Sequence, residues 1–206
     1  MAVKKGLIVL GFGGHARSVA DVALSSGYDR FVFVDKNARV GETFLDFVVQ
    51  KAWPETIGAG WSCLPASGVG IEREAQMEAV ARRGWAVATL IAQTATIGVG
   101  AEIGAGTFVA HHAHVGPMAR VGRACIINTG CSVEHESVVG EFTHISVNTT
   151  IAGRSKVGKH CFIGAGATII DGIEVTDEVV VGAGSVVVKP ISSPGTFVGC
   201  PARMIG

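Results

Sequence analysis

From Ile91 to Val187 every sixth residue is isoleucine or valine, without exception over 17 successive positions. The series begins Ile91, Ile97, Ile103, Val109 and ends Val175, Val181, Val187. A period of six fits neither the helical repeat of 3.6 nor the strand alternation of 2. It fits a solenoid of short strands, with one hexapeptide on each face of a triangular coil. Four places after the aliphatic the residue is small at nearly every repeat, from Ala95 to Ser185, with Ile173 and Val179 as the departures. Glycine often follows the aliphatic directly, as at Gly98, Gly116 and Gly140. It is expected there to accept backbone angles that other residues resist. The expected architecture for residues 89–206 is a parallel β-helix whose branched residues fill the interior.

Residues 1–88 carry a different pattern. Leu7–Leu10 is an apolar run that leads straight into Gly11-Phe12-Gly13-Gly14-His15-Ala16-Arg17. A helical pattern follows through Val19, Val22 and Ala23 to near Gly27, and a second strand, Phe31–Val34, ends on Asp35. Strand, glycine turn, helix, strand and acid make half of a Rossmann-like nucleotide-binding unit. The glycines let the backbone approach a phosphate, and the helix N-terminus offers free N–H groups to it. Asp35 lies where a carboxylate reaches a ribose or base. Some 90 residues, roughly, are too few for two mononucleotide halves and a substrate domain. A single mononucleotide-sized site is therefore expected, rather than a dinucleotide oxidoreductase. Residues 71–83 predict a helix with its acids early and its arginines late. Trp85–Ala88 predicts a last short strand, and Val40 to Gly70 gives no readable pattern.

Lys plus Arg number 17 and Asp plus Glu number 17, so charge gives no reason to expect nucleic acid or an anionic membrane as partner. No apolar stretch approaches membrane-spanning length, and the first residues lack the cleavage site of a secretory signal. A cytoplasmic setting is expected. Of the five cysteines, Cys125, Cys131 and Cys161 occupy the small position of the repeat, which reads as packing, and no spacing suits zinc or a redox pair. His111, His112 and His114 crowd one hexapeptide but project to different sides, so no metal site is expected. His160 reads as a surface residue.

Taken together, the two halves resemble the bacterial sugar acetyltransferases of the sialic-acid O-acetyltransferase and bacillosamine N-acetyltransferase group. The resemblance rests on the turn from Gly11 to Arg17, on Ile127-Asn128-Thr129-Gly130-Cys131-Ser132-Val133-Glu134-His135-Glu136, on Gly140-Glu141-Phe142-Thr143-His144 and on Ala152-Gly153. The ending Val198-Gly199-Cys200-Pro201-Ala202-Arg203 is similar to the Gly-x-Pro-Ala-basic tail of acyl-CoA-dependent hexapeptide enzymes. The resemblance implies a left-handed β-helix, a homotrimer, and acetyl-CoA in a groove between neighbouring β-helices, near Pro201, Ala202 and Arg203. It implies a nucleotide-linked sugar held by Gly11, Gly13, Gly14, His15, Arg17, Asp35 and Lys36. It also implies His135 as general base, Glu136 as the acid that orients its imidazole, Asn128 and His144 as further active-site positions, and Gly153 as the residue whose N–H faces the thioester oxygen. Handedness comes from the resemblance alone, since parallel crossovers are in general right-handed. Where the bacillosamine enzyme has two consecutive acids after its second strand, this chain has Asp35-Lys36. The nucleobase therefore stays open, as do the stereochemistry of the sugar and the part played by the tail after Pro190.

The chemistry is consistent with the spacing. One coil is three hexapeptides, so residue 153 stacks on residue 135 about one strand spacing away, roughly 4.8 Å. Base and oxyanion donor then share an edge. His144 stands half a coil from His135, which predicts that the two share a site only across a subunit boundary. No cysteine falls near His135, which favours direct transfer over an acyl-enzyme. The leading expectation is acetyl-CoA-dependent N-acetylation of a 4-amino-4,6-dideoxy sugar carried on a nucleotide, in the building of surface glycans such as lipopolysaccharide O-antigen. O-acetylation of a sialic acid or related sugar is the nearest alternative. A β-helical carbonic anhydrase would need two histidines five residues apart, and no pair has that spacing. A non-catalytic scaffold would present threonine ladders, which are absent, and leaves the N-terminal domain without a task.

Overall fold

The computed structural model describes residues 5–205. β1 (Lys5–Leu10) lies between β2 (Tyr28–Val34) and β5 (Trp61–Pro65), parallel to both. Leu7, Ile8, Val9 and Leu10 are all buried, as a strand covered on both faces requires. The hairpin β3 (Thr43–Phe44) and β4 (Phe47–Gln50) extends the sheet beyond β2, giving the order β3-β4-β2-β1-β5. α1 (Gly14–Ser25) starts in the glycine turn and lays Ala16, Val19, Ala20 and Ala23 against one face. α2 (Gly70–Arg82) follows β5. The sequence did not reveal β5, because only Cys63 and Leu64 form an apolar core and Trp61, Ser62 and Pro65 interrupt the pattern around them. The strand predicted at Trp85–Ala88 is instead a single parallel bridge from Val87 to Cys63, since the chain turns into the first coil at Leu90.

The remaining chain winds into three parallel sheets of short strands with a register shift of one coil per strand, as in His114↔Ser132 and Ser132↔Thr150. The first face holds six strands, from Thr96–Ile97 to Val186–Val187. The second holds five, from Glu102–Ile103 to Glu174–Val175. The third begins at Leu90–Ile91 and ends with two strands of the tail, Gly195–Val198 and Arg203–Ile205. From Val109 onward the sixth-residue aliphatics fill a continuous core. Ile91 and Ile97 depart from the expected pattern, being 36% and 39% exposed, because no coil covers that end of the prism.

The small position of the repeat has a polar task as well as a steric one. Thr107, Ser137, Thr143, Thr149 and Ser155 are buried, and each hydroxyl donates to a carbonyl of the next coil, such as Gly122 O at 2.7 Å and Ala152 O at 2.9 Å. The thiols of Cys125, Cys131 and Cys161 point at equivalent carbonyls. Burial pushes their pKa values up to about 12, 11 and 11. The glycines that follow the aliphatics do not serve the reason the sequence suggested. None of them has positive φ, and a Cβ on Gly116 or Gly122 would meet the backbone nitrogen of the next coil at 2.7 Å. They are there for close approach. The left-handed corner lies two residues later and is filled by ordinary residues such as Met118, Glu136, Phe142 and Arg154, with φ near 60°.

Arg73 joins the two parts. Its side chain is 1% exposed, and its guanidinium donates to Ala124 O (2.8 Å), Ser67 O (3.0 Å) and Phe142 O. Ala124 and Phe142 occupy equivalent corners of successive coils. Gly70 allows the approach, since a Cβ there would stand 2.6 Å from Phe142 O. His160, expected at the surface, lies in this junction instead: its ring stacks on Phe142 and its Nε2 is 3.3 Å from Glu74 of α2.

Candidate active site

Two groups of polar residues stand out, one in the N-terminal domain and one on the prism. The first lines a cleft of about 780 Å³ over the C-terminal ends of β1 and β2. Its walls include Gly11, Gly13, Gly14, His15, Asp35 and Lys36, together with Lys51, Trp53, Gly68 and Gln76, which the sequence did not mark. This is where ligands sit in open parallel α/β sheets. Arg17 lies outside it, with its guanidinium 4.7 Å from the ring of Phe12. The Asp35 carboxylate is not free for a base or ribose in the simple way expected: Oδ2 accepts from Phe12 N at 2.8 Å and Oδ1 from Asn37 N at 2.7 Å. It shapes the glycine turn. Lys36 leans toward Glu72, 3.8 Å away.

Next to this cleft, on the third face of the prism, Asn128 and His144 come together. His144 Nδ1 is 3.3 Å from Gly68 O, and its Nε2 is 3.3 Å from Asn128 Nδ2. A carbonyl can only accept and an amide NH₂ can only donate, so the proton sits on Nδ1 and the ring is neutral. Both nitrogens are thereby engaged. Burial, with the nearby Arg73 charge, holds the His144 pKa down at about 4. His15 lies beside it, ring centroids 6.3 Å apart, and packs edge-on against Phe108. Burial, with the charges of His144 and Arg73, pushes its pKa down to about 3, and its Nε2 has no hydrogen-bond partner among the described residues.

The second group occupies the corner between the first and second faces. His135 sits in the turn between Ser132–Val133 and Val138–Val139, beside Glu136 in the left-handed conformation. Its Nδ1 is 3.3 Å from Glu136 Oε2, which leaves Nε2 as the nitrogen with the lone pair. The imidazole lies against Gly153 of the next coil: a Cβ built there would stand 2.5 Å from Cε1 and Nε2. Arg154 N donates to His135 O and Gly172 N to Gly153 O, whereas Gly153 N donates to nothing among the described residues. His135 and Gly153 therefore stack as expected, with the Gly153 amide unpaired among the described residues. His144 belongs to the opposite face, as the half-coil spacing predicted.

His111 and His114 accept or donate through Nδ1 to Thr94 and Thr96, and His111 Nε2 is 3.2 Å from Asp21 of α1. No grouping of ligands suits a metal ion among the described residues. In the tail, Ala202 N donates to Val186 O, and Pro201 follows Cys200 through a cis peptide bond. Arg203 is exposed and pairs with no carboxylate among the described residues. No helix among the described residues is long and apolar enough to cross a membrane.

The comparisons with known proteins agree with this arrangement. Residues 6–55 match the PglD N-terminal domain, and residues 155–189 match the hexapeptide repeat of succinyl-transferase. The acetyltransferase domain of PglB from Neisseria gonorrhoeae superposes with a TM-score of 0.90 at 29% identity, covering 98% of this chain and 100% of that one. The same domain in complex with acetyl coenzyme A gives 0.89. PerB from Caulobacter crescentus, in complex with CoA and GDP-perosamine, gives 0.88 at 27% identity, covering 98% of this chain and 97% of that one. The chain thus combines a PglD-type N-terminal domain with hexapeptide-repeat coils, the architecture of these acetyltransferase structures. Among curated protein sequences none matches it. The glycine turn, Asp35, Lys36, Lys51 and Trp53 of the cleft fall within the PglD-type match, and the His135 corner precedes the matched hexapeptide coils.

Proposed function

We propose that the protein transfers the acetyl group of acetyl-CoA directly to the 4-amino group of a nucleotide-linked 4-amino-4,6-dideoxy sugar, as a homotrimer and as a step in surface-glycan synthesis. One observation carries the reading: a histidine with a free Nε2 packs on a glycine whose amide is unpaired. Relatives of this fold are solved with CoA and with a nucleotide-linked amino sugar. In this scheme the cleft beside Gly11–His15 holds the diphosphate and sugar, with Lys36 and Lys51 as the nearby cations. His135 removes a proton from the acceptor nitrogen, and Glu136 steadies the resulting imidazolium through Nδ1. Gly153 N–H receives the developing oxyanion, a contribution of about 3 kcal/mol. Asn128 and the neutral His144 hold the wall of the sugar cleft rather than a proton in flight. The cleft adjoins the third face of the prism and His135 stands at the corner between the other two, so the complete site is built from the cleft of one protomer and the His135 corner of its neighbour.

The test is an acetyl-CoA assay that follows thiol release against UDP-, dTDP- and GDP-linked 4-amino sugars. Turnover is expected with at least one, and His135→Ala is expected to lower kcat by a factor on the order of 10²–10⁴. Absence of turnover with every amine would redirect the assignment to a hydroxyl acceptor, and full activity in His135→Ala would remove the proposed base.

A further inference from the structure

The corner that carries His135 holds a second carboxylate on the far side of Gly153. Asp171, one coil above Gly153, directs Oδ1 to within 3.0 Å of the point where a Gly153 side chain would begin. His135 Nε2 reaches the same point from below at 2.5 Å. Imidazole lone pair and carboxylate oxygen therefore face one small volume, roofed by an unpaired amide. Arg154 Nη2 binds Asp171 Oδ2 at 2.5 Å, which fixes the carboxylate and leaves Oδ1 turned toward the histidine. Glu136 already serves Nδ1. Asp171 is thus not needed to orient the ring, and its ion pair with Arg154 engages Oδ2 and leaves Oδ1 facing the site.

From this arrangement, and resting on the acetyl-transfer reading above, we infer that Asp171 selects an amine over a hydroxyl acceptor by receiving the acceptor nitrogen as its ammonium form. An amine flanked by oxygen-bearing ring carbons titrates below a lysine, at about 8 like an α-amino group, so the acceptor reaches the site largely protonated at neutral pH, whereas a hydroxyl brings no charge for Oδ1 to hold. Oδ1 holds the ammonium beside Nε2, and the first proton passes to His135. The freed lone pair forms the C–N bond at the thioester carbon, and the second N–H proton leaves with sulfur as the C–S bond breaks. One ammonium and one thioester give one amide, one thiol and one imidazolium, which returns its proton to water.

Asp171→Asn keeps shape and removes charge. At neutral pH its KM for the amino sugar is expected to rise about tenfold, the loss of one charge-assisted hydrogen bond. The deficit should shrink as pH rises past the titration of the amine, since a neutral acceptor gains nothing from the carboxylate. A merely structural role would lower activity equally at every pH, and that result, like wild-type KM throughout, overturns the inference. Should Asp171→Asn fail to fold, Asp171→Ser decides the matter by the same readout: a KM deficit that closes as pH rises supports the assignment, and no deficit, or one that is constant with pH, refutes it. Wild-type protein inert toward every amino sugar would instead overturn the parent reading, so the two failures are distinguishable.

Discussion

Gly153→Ala separates the geometry of the corner from its stability. The added Cβ would stand 2.5 Å from both Cε1 and Nε2 of His135, whereas ordinary contacts begin near 3.4 Å. The ring must move outward by about 1 Å, a misplacement that costs on the order of 100-fold in rate when it affects a reacting group. Folding should scarcely register the change, because His135 is half exposed and its side chain can swing toward solvent. Gly172→Ala is the matched control. Gly172 has φ of 71° and nothing within 4 Å of its virtual Cβ. Alanine there strains the backbone by about 1 kcal/mol and leaves the ring alone. Thiol release from acetyl-CoA and urea midpoints, measured on both variants, should therefore move in opposite senses: Gly153→Ala slow but stable, Gly172→Ala active but weakened. Wild-type turnover in Gly153→Ala would refute the view that the imidazole works from its position on this glycine.

Arg73→Met should destabilise the protein by about 3 kcal/mol, read from the urea midpoint, because it strands two buried carbonyls and a partly buried third; a change below about 0.5 kcal/mol would contradict the junction described. His15 and His144 are held neutral in the fold with pKa values near 3 and 4, so the unfolded chain binds more protons than the native one below about pH 6.5. Stability should accordingly fall as pH drops from 6.5 toward 4, by up to about 1.4 kcal/mol per pH unit for each histidine, and His144→Gln should flatten the slope. Ellman's reagent should modify Cys200 alone in the native protein and all five thiols in denaturant, since the other four cysteines are buried. His135→Ala mixed by co-refolding with Gly14→Asp, which sets a carboxylate in the cleft, should recover activity that neither has alone. No recovery would mean that the cleft and corner of one chain suffice.

The β-helix was legible because its period is enforced at every rung: a branched residue inside and a small one at the corner recur too often for the pattern to be missed. The reason for the glycines was not legible, since closeness to the next coil and tolerance of positive φ both call for the same residue. β5 escaped notice because Trp61 and Pro65 flank a two-residue apolar centre. Of the expected site residues, His135, Glu136 and Gly153 could be placed by stacking arithmetic, and Asn128 and His144 do meet. That Gly68, Lys51 and Trp53 line the cleft was hidden in a stretch without periodicity. Asp171 was overlooked for another reason: the 18-residue arithmetic puts it in the same column, one coil above Gly153, but only the fold shows its Oδ1 turned toward the glycine.

Arg73 grips Ala124 and Phe142, the same corner on two adjacent floors of the tower. A whole extra floor of 18 residues, spliced in above Asp171, would lengthen the tower without disturbing this grip or the column of His135, Gly153 and Asp171. The same insert between Ala124 and Phe142 would set those two carbonyls two storeys apart, so the guanidinium could keep only one of them and would meet the inserted corner in place of the other. The position of the N-terminal half along the tower is thus indexed by Arg73 together with the contacts of His144, His160 and His111, and variation in length between proteins built this way should be confined to the storeys above them.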